Sequence, residues 1–134
     1  MTMKPLLQAV LGASIQFFVL VALAGDADSL LSAKYNTCKS KAVSTLDIQG
    51  CISEEVRRQD LRLNTAYKTL VANLSSDRAK QLLEAQRAWI KFRDSNCSFY
   101  LDPAGGTIAP IQAGMCKISV TATRAKELED YLKP

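Results

Sequence analysis

Among the 134 residues, those equipped for chemistry are a few carboxylates, four cysteines and a set of polar side chains at helical spacing. Glu54-Glu55, Asp60 and Asp94 are the candidates for an acid and a base, as glycoside or peptide hydrolysis requires. The chain has no His. That removes a His general base, Ser-His-Asp and Cys-His arrangements, and zinc sites built on imidazole. The cysteines, Cys38, Cys51, Cys97 and Cys116, are separated by 12, 45 and 18 residues. No close pair is present to seed a four-thiolate zinc site. No metal ion and no cofactor is therefore expected.

The carboxylates read as structural rather than catalytic. Asp60-x-x-Leu63-Asn64-x-x-Tyr67 and Gln86-x-x-Trp89-x-x-x-Arg93-Asp94-x-x-Cys97 set polar residues into apolar helical stripes. If the two segments form an antiparallel hairpin about Ser75, Asn64 and Gln86 are equally far from the turn. Asp60 and Arg93 are then offset by three residues, roughly 4.5 Å of helix rise and within reach of an Arg side chain. A buried carboxylate needs a partner, so Asp60–Arg93 and Asn64–Gln86 are expected as inter-helix pairs that set register. Tyr67 and Trp89 are assigned to the core, and Arg78, Glu84, Arg87 and Lys91 to a solvated face.

The elements that must hold these residues follow from periodicity. Residues 1–24 carry a single charge, Lys4, then a long apolar run without a charge that ends in Ala22-Leu23-Ala24. This is the pattern of a secretory signal with its small-residue cleavage site. A retained membrane anchor is the competing reading, because Leu6 to Ala24 is nearly long enough to span. Leu23-Ala24-Gly25 is followed by Asp26 and not by a lipid-bearing Cys, so the product is expected to be released, with no membrane attachment. The mature chain, residues 25–134, holds 16 basic and 13 acidic residues, and a net charge of +3 does not call for nucleic acid. An even number of cysteines in a small exported chain implies two disulfides. Cys38–Cys51 and Cys97–Cys116 are the preferred pairing because each closes a short loop at a helix end; the other connectivities stay open at this level.

Within 25–134 the spacing predicts one all-α domain of three helices. Val56, Leu63, Tyr67, Leu70 and Leu74 keep one face of a first helix, which starts near Ser44 or Thr45. A second helix is predicted from about Asp77 to Phe99, with Leu82, Ala85, Trp89, Ile90 and Phe92 on its apolar side. A third runs from about Met115 to Leu132 through Ile118, Ala122, Ala125 and Leu128. The architecture is a long helical hairpin plus a C-terminal helix, preceded by an ordered start and stapled by two disulfides. Between helices two and three, Tyr100 to Gly114 contains three Gly and two Pro and is predicted as a loop. A connector of that length without regular structure marks a binding segment. Tyr100, Asp102, Gly105, Gly106 and Thr107 are its candidate contact residues.

Cys38, Thr45, Cys51, Asp60-x-x-Leu63-Asn64-x-x-Tyr67, Leu74, Gln86-x-x-Trp89-Ile90-x-x-Arg93-Asp94-x-x-Cys97, Gly105-Gly106 and Cys116, with Thr121, Thr123, Arg124 and Leu128 beyond, form a pattern. It resembles the N-terminal domain of the LprI-type lysozyme-inhibitor family over about residues 38–132. The resemblance implies a helical, disulfide-stapled protein of the bacterial envelope, periplasmic or secreted. It further implies a non-enzymatic, monomeric protein whose partner is a protein, lysozyme. The alternative is a structural or stress-related envelope protein with a different protein partner.

Overall fold

The structure, a computed structural model, describes residues 30–133; the segment 1–24 read as an export signal lies outside the described residues. Four helices account for most of the rest: α1 (Ala33–Lys41), α2 (Thr45–Ala72), α3 (Ser76–Ser98) and α4 (Ile108–Asp130), with no strand among the described residues. The ordered start is thus a helix in its own right. Ser32 caps α1 by accepting from the Tyr35 N–H at 3.1 Å, and Tyr35 is buried. α2 opens on a capping box in which Ser44 and Asp47 satisfy each other's backbone N–H groups. Its buried residues, Cys51, Ile52, Glu55, Gln59, Leu63, Ala66 and Leu70, repeat every three or four positions.

α4 begins at Ile108, well before the Met115 start expected from composition. Pro110 falls in the first turn, where its missing N–H has no intrahelical partner to lose. Gly114 lies inside the helix because a Cβ there would overlap Cγ2 of Ile52 on α2. The connector shrinks accordingly to residues 99–107.

Packing also departs from a simple hairpin. α4, not α3, is the main neighbour of α2, and α3 rests on α4. The inward face of α4 alternates small residues (Gly114, Thr121, Ala122, Ala125) with the fully buried Ile118 and Leu128, and at Gly114 the helix comes directly against Ile52 of α2. By contrast, α3 turns longer side chains inward. Leu82 and Trp89 pack partly buried on the core, while Ala85, Ile90 and Phe92, expected on its apolar side, are exposed.

The core has two apolar clusters. Leu31, Tyr35, Cys51, Ile52, Ile118 and Ala122 fill the end near the disulfides. Leu63, Ala66, Leu70, Ala125 and Leu128 fill the other, with Tyr67 and Trp89 packed against them. On α2 the buried polar residues Glu55 and Gln59 come between the two clusters, and on α4 the buried Thr121 lies among the residues of the first.

Candidate functional site

The cysteines pair as Cys38–Cys51 and Cys97–Cys116, the preferred connectivity. The second bridge closes the base of the connector: Cys97 lies in the last turn of α3, and Cys116 lies in the third turn of α4. Between them the chain turns on local bonds. Asp102 accepts from the Ala104 N–H through its carboxylate at 2.8 Å and from the Gly105 N–H through its carbonyl at 2.9 Å. Gly106 has φ of 54°, a left-handed conformation open to glycine at little cost. A Cβ at Gly105 would stand 2.9 Å from that of Ala109, which is buried. Gly105 is therefore a packing position, and bulk there disturbs the start of α4 as well as the connector.

The connector shows its apolar side chains to solvent. Phe99, Tyr100 and Leu101 are all exposed, with Phe99 and Tyr100 rings edge to face at 6.1 Å. Tyr100 lines one shallow cleft with Ile111, Met115 and Cys116; Leu101 lines a second with Asp94, Ala113 and Lys117. Asp102, Gly106 and Thr107 are exposed alongside. A tethered segment with aromatic and aliphatic side chains turned outward can bind a protein surface; it holds no acid–base pair and no nucleophile with a base.

The polar residues lie elsewhere and divide into separate contacts. Arg93 donates to Asp60 at 3.0 Å and to Asp94 at 2.9 Å, and its guanidinium stands 5.3 Å from the centre of the Trp89 ring. Asn64 and Gln86 do not meet. Asn64 is exposed and makes no hydrogen bond among the described residues, whereas Gln86 is buried and accepts from Arg124 of α4 at 3.1 Å. Equal distance from a turn sets the axial level but leaves rotation about the helix axis free, and Gln86 is rotated toward α4.

A larger network escapes sequence reasoning altogether. Glu55 is fully buried and accepts from the Ser32 N–H and hydroxyl at 2.8 and 2.6 Å, from Gln59 at 2.7 Å and from Arg58 at 2.8 Å. Gln59 and Arg62 both donate to the Leu30 carbonyl, and Arg62 holds Glu129 of α4 through two bonds at 2.6 and 2.7 Å. Burial pushes the Glu55 carboxyl up, but the bonds from Ser32, Gln59 and Arg58 outweigh it and hold it below its ordinary value. The bonds and charge of Arg62 lower Glu129 in the same way. Glu54 is exposed and pairs with Arg57, so the adjacent glutamates are a surface charge and a buried anchor, not an acid and a base. Among the described residues no three His, Cys, Asp or Glu side chains gather into a metal site. The one available signal was the Glu55-x-x-x-Gln59-x-x-Arg62 spacing on the buried face of α2.

A family model described as lysozyme inhibitor LprI matches residues 25–128. The chain belongs to the LprI lysozyme inhibitor family. Among curated proteins, the uncharacterized protein R02472 of Rhizobium meliloti (strain 1021) is 31% identical over 107 residues, covering 69% of this chain and 77% of its own. No solved structure matches.

Proposed function

We propose that this protein is exported and acts by binding, inhibiting a lysozyme through the 99–107 connector. The observation that carries the reading is the connector itself: exposed Phe99, Tyr100 and Leu101 on a segment whose ends the Cys97–Cys116 bridge holds together. A tethered segment loses little freedom when it binds, so its contacts convert more fully into affinity. Membership of a lysozyme-inhibitor family supplies the partner and supports binding rather than turnover. Residues 1–24 are the proposed export signal and 25–134 the single mature domain. Export is supported by the two disulfides and by a family match that begins at residue 25. No helix among the described residues is long and apolar enough to cross a membrane.

The mild positive charge favours a second reading. Lysozymes are typically basic, and a mature chain at +3 gains no long-range attraction toward one. An envelope protein with another protein partner would carry the same connector. The deciding experiment incubates purified residues 25–134 with lysozymes of several structural classes and measures bacterial cell-wall lysis and complex formation. Loss of lysis with a stable complex is the expected result. The reading fails if every lysozyme keeps full activity and none forms a complex.

A further inference from the structure

Six of the eleven exposed large apolar side chains among the described residues, Val43, Leu46, Phe99, Tyr100, Leu101 and Ile108, lie in or beside two turns. α1 runs antiparallel to α2, because Leu30 lies at the level of Gln59 and Arg62, Ser32 at Glu55, and Cys38 at Cys51. The α1–α2 turn is therefore beside the start of α2. α4 runs parallel to α2, with Gly114 against Ile52 and Glu129 against Arg62. The 99–107 connector enters α4 at its start. Both turns thus stand at the same end, each tied down by its own disulfide. The α1–α2 turn presents Val43, 95% exposed, and Leu46, 75% exposed; the connector presents Phe99, 84% exposed, with Leu101 and Ile108.

We infer that the α1–α2 turn is the second half of the contact face: Val43 and Leu46, together with Phe99, Leu101 and Ile108, form one end surface that the lysozyme covers. This inference rests on the reading of the connector as the lysozyme contact. Three observations carry it. The first is size, since a stable protein interface draws on about 20–30 residues a side and the connector alone supplies nine. The second is rigidity. The Asp47 carboxylate accepts from the Val43 and Ser44 N–H groups at 3.2 and 3.0 Å, and Cys38–Cys51 anchors the turn from the other side. Val43 and Leu46 are held outward without a folding partner, the arrangement expected of preorganised anchors. The third is charge. Lys39 and Lys41 close the last turn of α1, which carries no acidic residue in its first turn, and neither forms an ion pair among the described residues. A lysozyme, although basic as a whole, lines its cleft with the two carboxylates of a glycosidase, and a basic rim beside an apolar face complements that cleft.

The test compares affinity and inhibition for four forms of residues 25–134, using a lysozyme that the unaltered form binds. The forms are unaltered, Val43→Ser with Leu46→Ser, Phe99→Ser with Leu101→Ser, and Leu61→Ser as an exposed control distant from this end. The first two variants should each lose at least about thirtyfold in affinity, the change that marks an interface hot spot, while the control stays level. Circular dichroism should show the same helix content in all four, since every altered side chain is exposed. If the Val43/Leu46 variant binds as the unaltered protein does while the Phe99/Leu101 variant fails, the connector reading stands and the two-turn face is wrong. If no lysozyme binds the unaltered protein, both readings fall. Binding to phosphatidylglycerol vesicles that the Val43/Leu46 variant loses, with its lysozyme affinity intact, would assign the turn to a membrane surface and overturn the inference.

Discussion

Replacing Glu55 by Ala should destabilise this protein more than any surface change. The carboxylate is fully buried and accepts four hydrogen bonds, from the Ser32 N–H and hydroxyl, Gln59 and Arg58. Its removal leaves those donors to find other partners. Arg58 is partly exposed and reaches water and Glu54, so its loss is small. Gln59 keeps its bond to the Leu30 carbonyl at 3.2 Å. The Ser32 N–H, in the turn that caps α1, has no replacement among its described neighbours. A buried donor left without a partner costs about 1–3 kcal/mol, and breaking a buried charged contact costs about 3–5 kcal/mol. With Arg58 able to resolvate, the lower part of that range applies, about 3–4 kcal/mol. For a domain of this size that corresponds to a fall in melting temperature of roughly 12–20 °C. Loss should begin locally. Cys38–Cys51 keeps α1 attached, so hydrogen exchange at the Tyr35 amide should rise before the rest of the bundle opens. Thermal unfolding followed by circular dichroism at pH 7, paired with amide exchange, measures both. A melting temperature within about 4 °C of the unaltered protein, about 1 kcal/mol, would refute the assignment of Glu55 as the anchor of α1.

Acid should act through the same group. Glu55 and Glu129 are held below the ordinary value of 4.5, so the unfolded chain takes up protons before the folded one does. Their stabilisation is complete above that value and is lost as pH falls through the lower folded values; melting temperature should hold level down to about pH 5 and drop below it, less steeply in Glu55→Gln. Gly114→Ala should destabilise by about 1–3 kcal/mol despite the higher helix propensity of Ala, because the new methyl overlaps Ile52, and Ile52→Ala should recover part of the loss when combined with it. A Gly114→Ala protein as stable as the original in denaturant titration would show that α2 and α4 are less closely apposed. Asp60→Ala should cost only about 1 kcal/mol, since Asp60 is 39% exposed and Arg93 keeps Asp94 and the face of Trp89; a loss above about 3 kcal/mol would mean that Arg93 depends on Asp60 alone.

Several features were legible in the residues themselves. The stripe Val56, Leu63, Tyr67 and Leu70 and the cap at Ser44 placed α2, and the end of that stripe placed the turn at Ser75, because helical period and capping chemistry are local. The disulfide pairing followed from loop length, since a short loop at a helix end already brings its cysteines near each other. The level of Asp60 against Arg93 followed from rise per residue.

What remained was set by rotation and contact, which no spacing within one helix reports. Counting from Ser75 placed Asn64 level with Gln86, but the rotation of α3 turned Gln86 to Arg124 and left Asn64 in water. Pro110 and Gly114 looked like breakers; the first turn of a helix accepts the one, and Ile52 across the interface requires the other. Glu55 read as a structural carboxylate, but its partner Ser32 comes from α1, which folds over it from outside the hairpin. The sequence by itself determined the two helices on either side of Ser75 and favoured the cysteine pairing, because those depend on neighbours along the chain. Tertiary structure alone decided which face of α3 looks inward, which carboxylate is buried and which apolar side chains are left in solvent. Those outcomes depend on the whole set of neighbours across space, and each is chosen by the packing that buries the most apolar surface while leaving the fewest polar atoms without a partner.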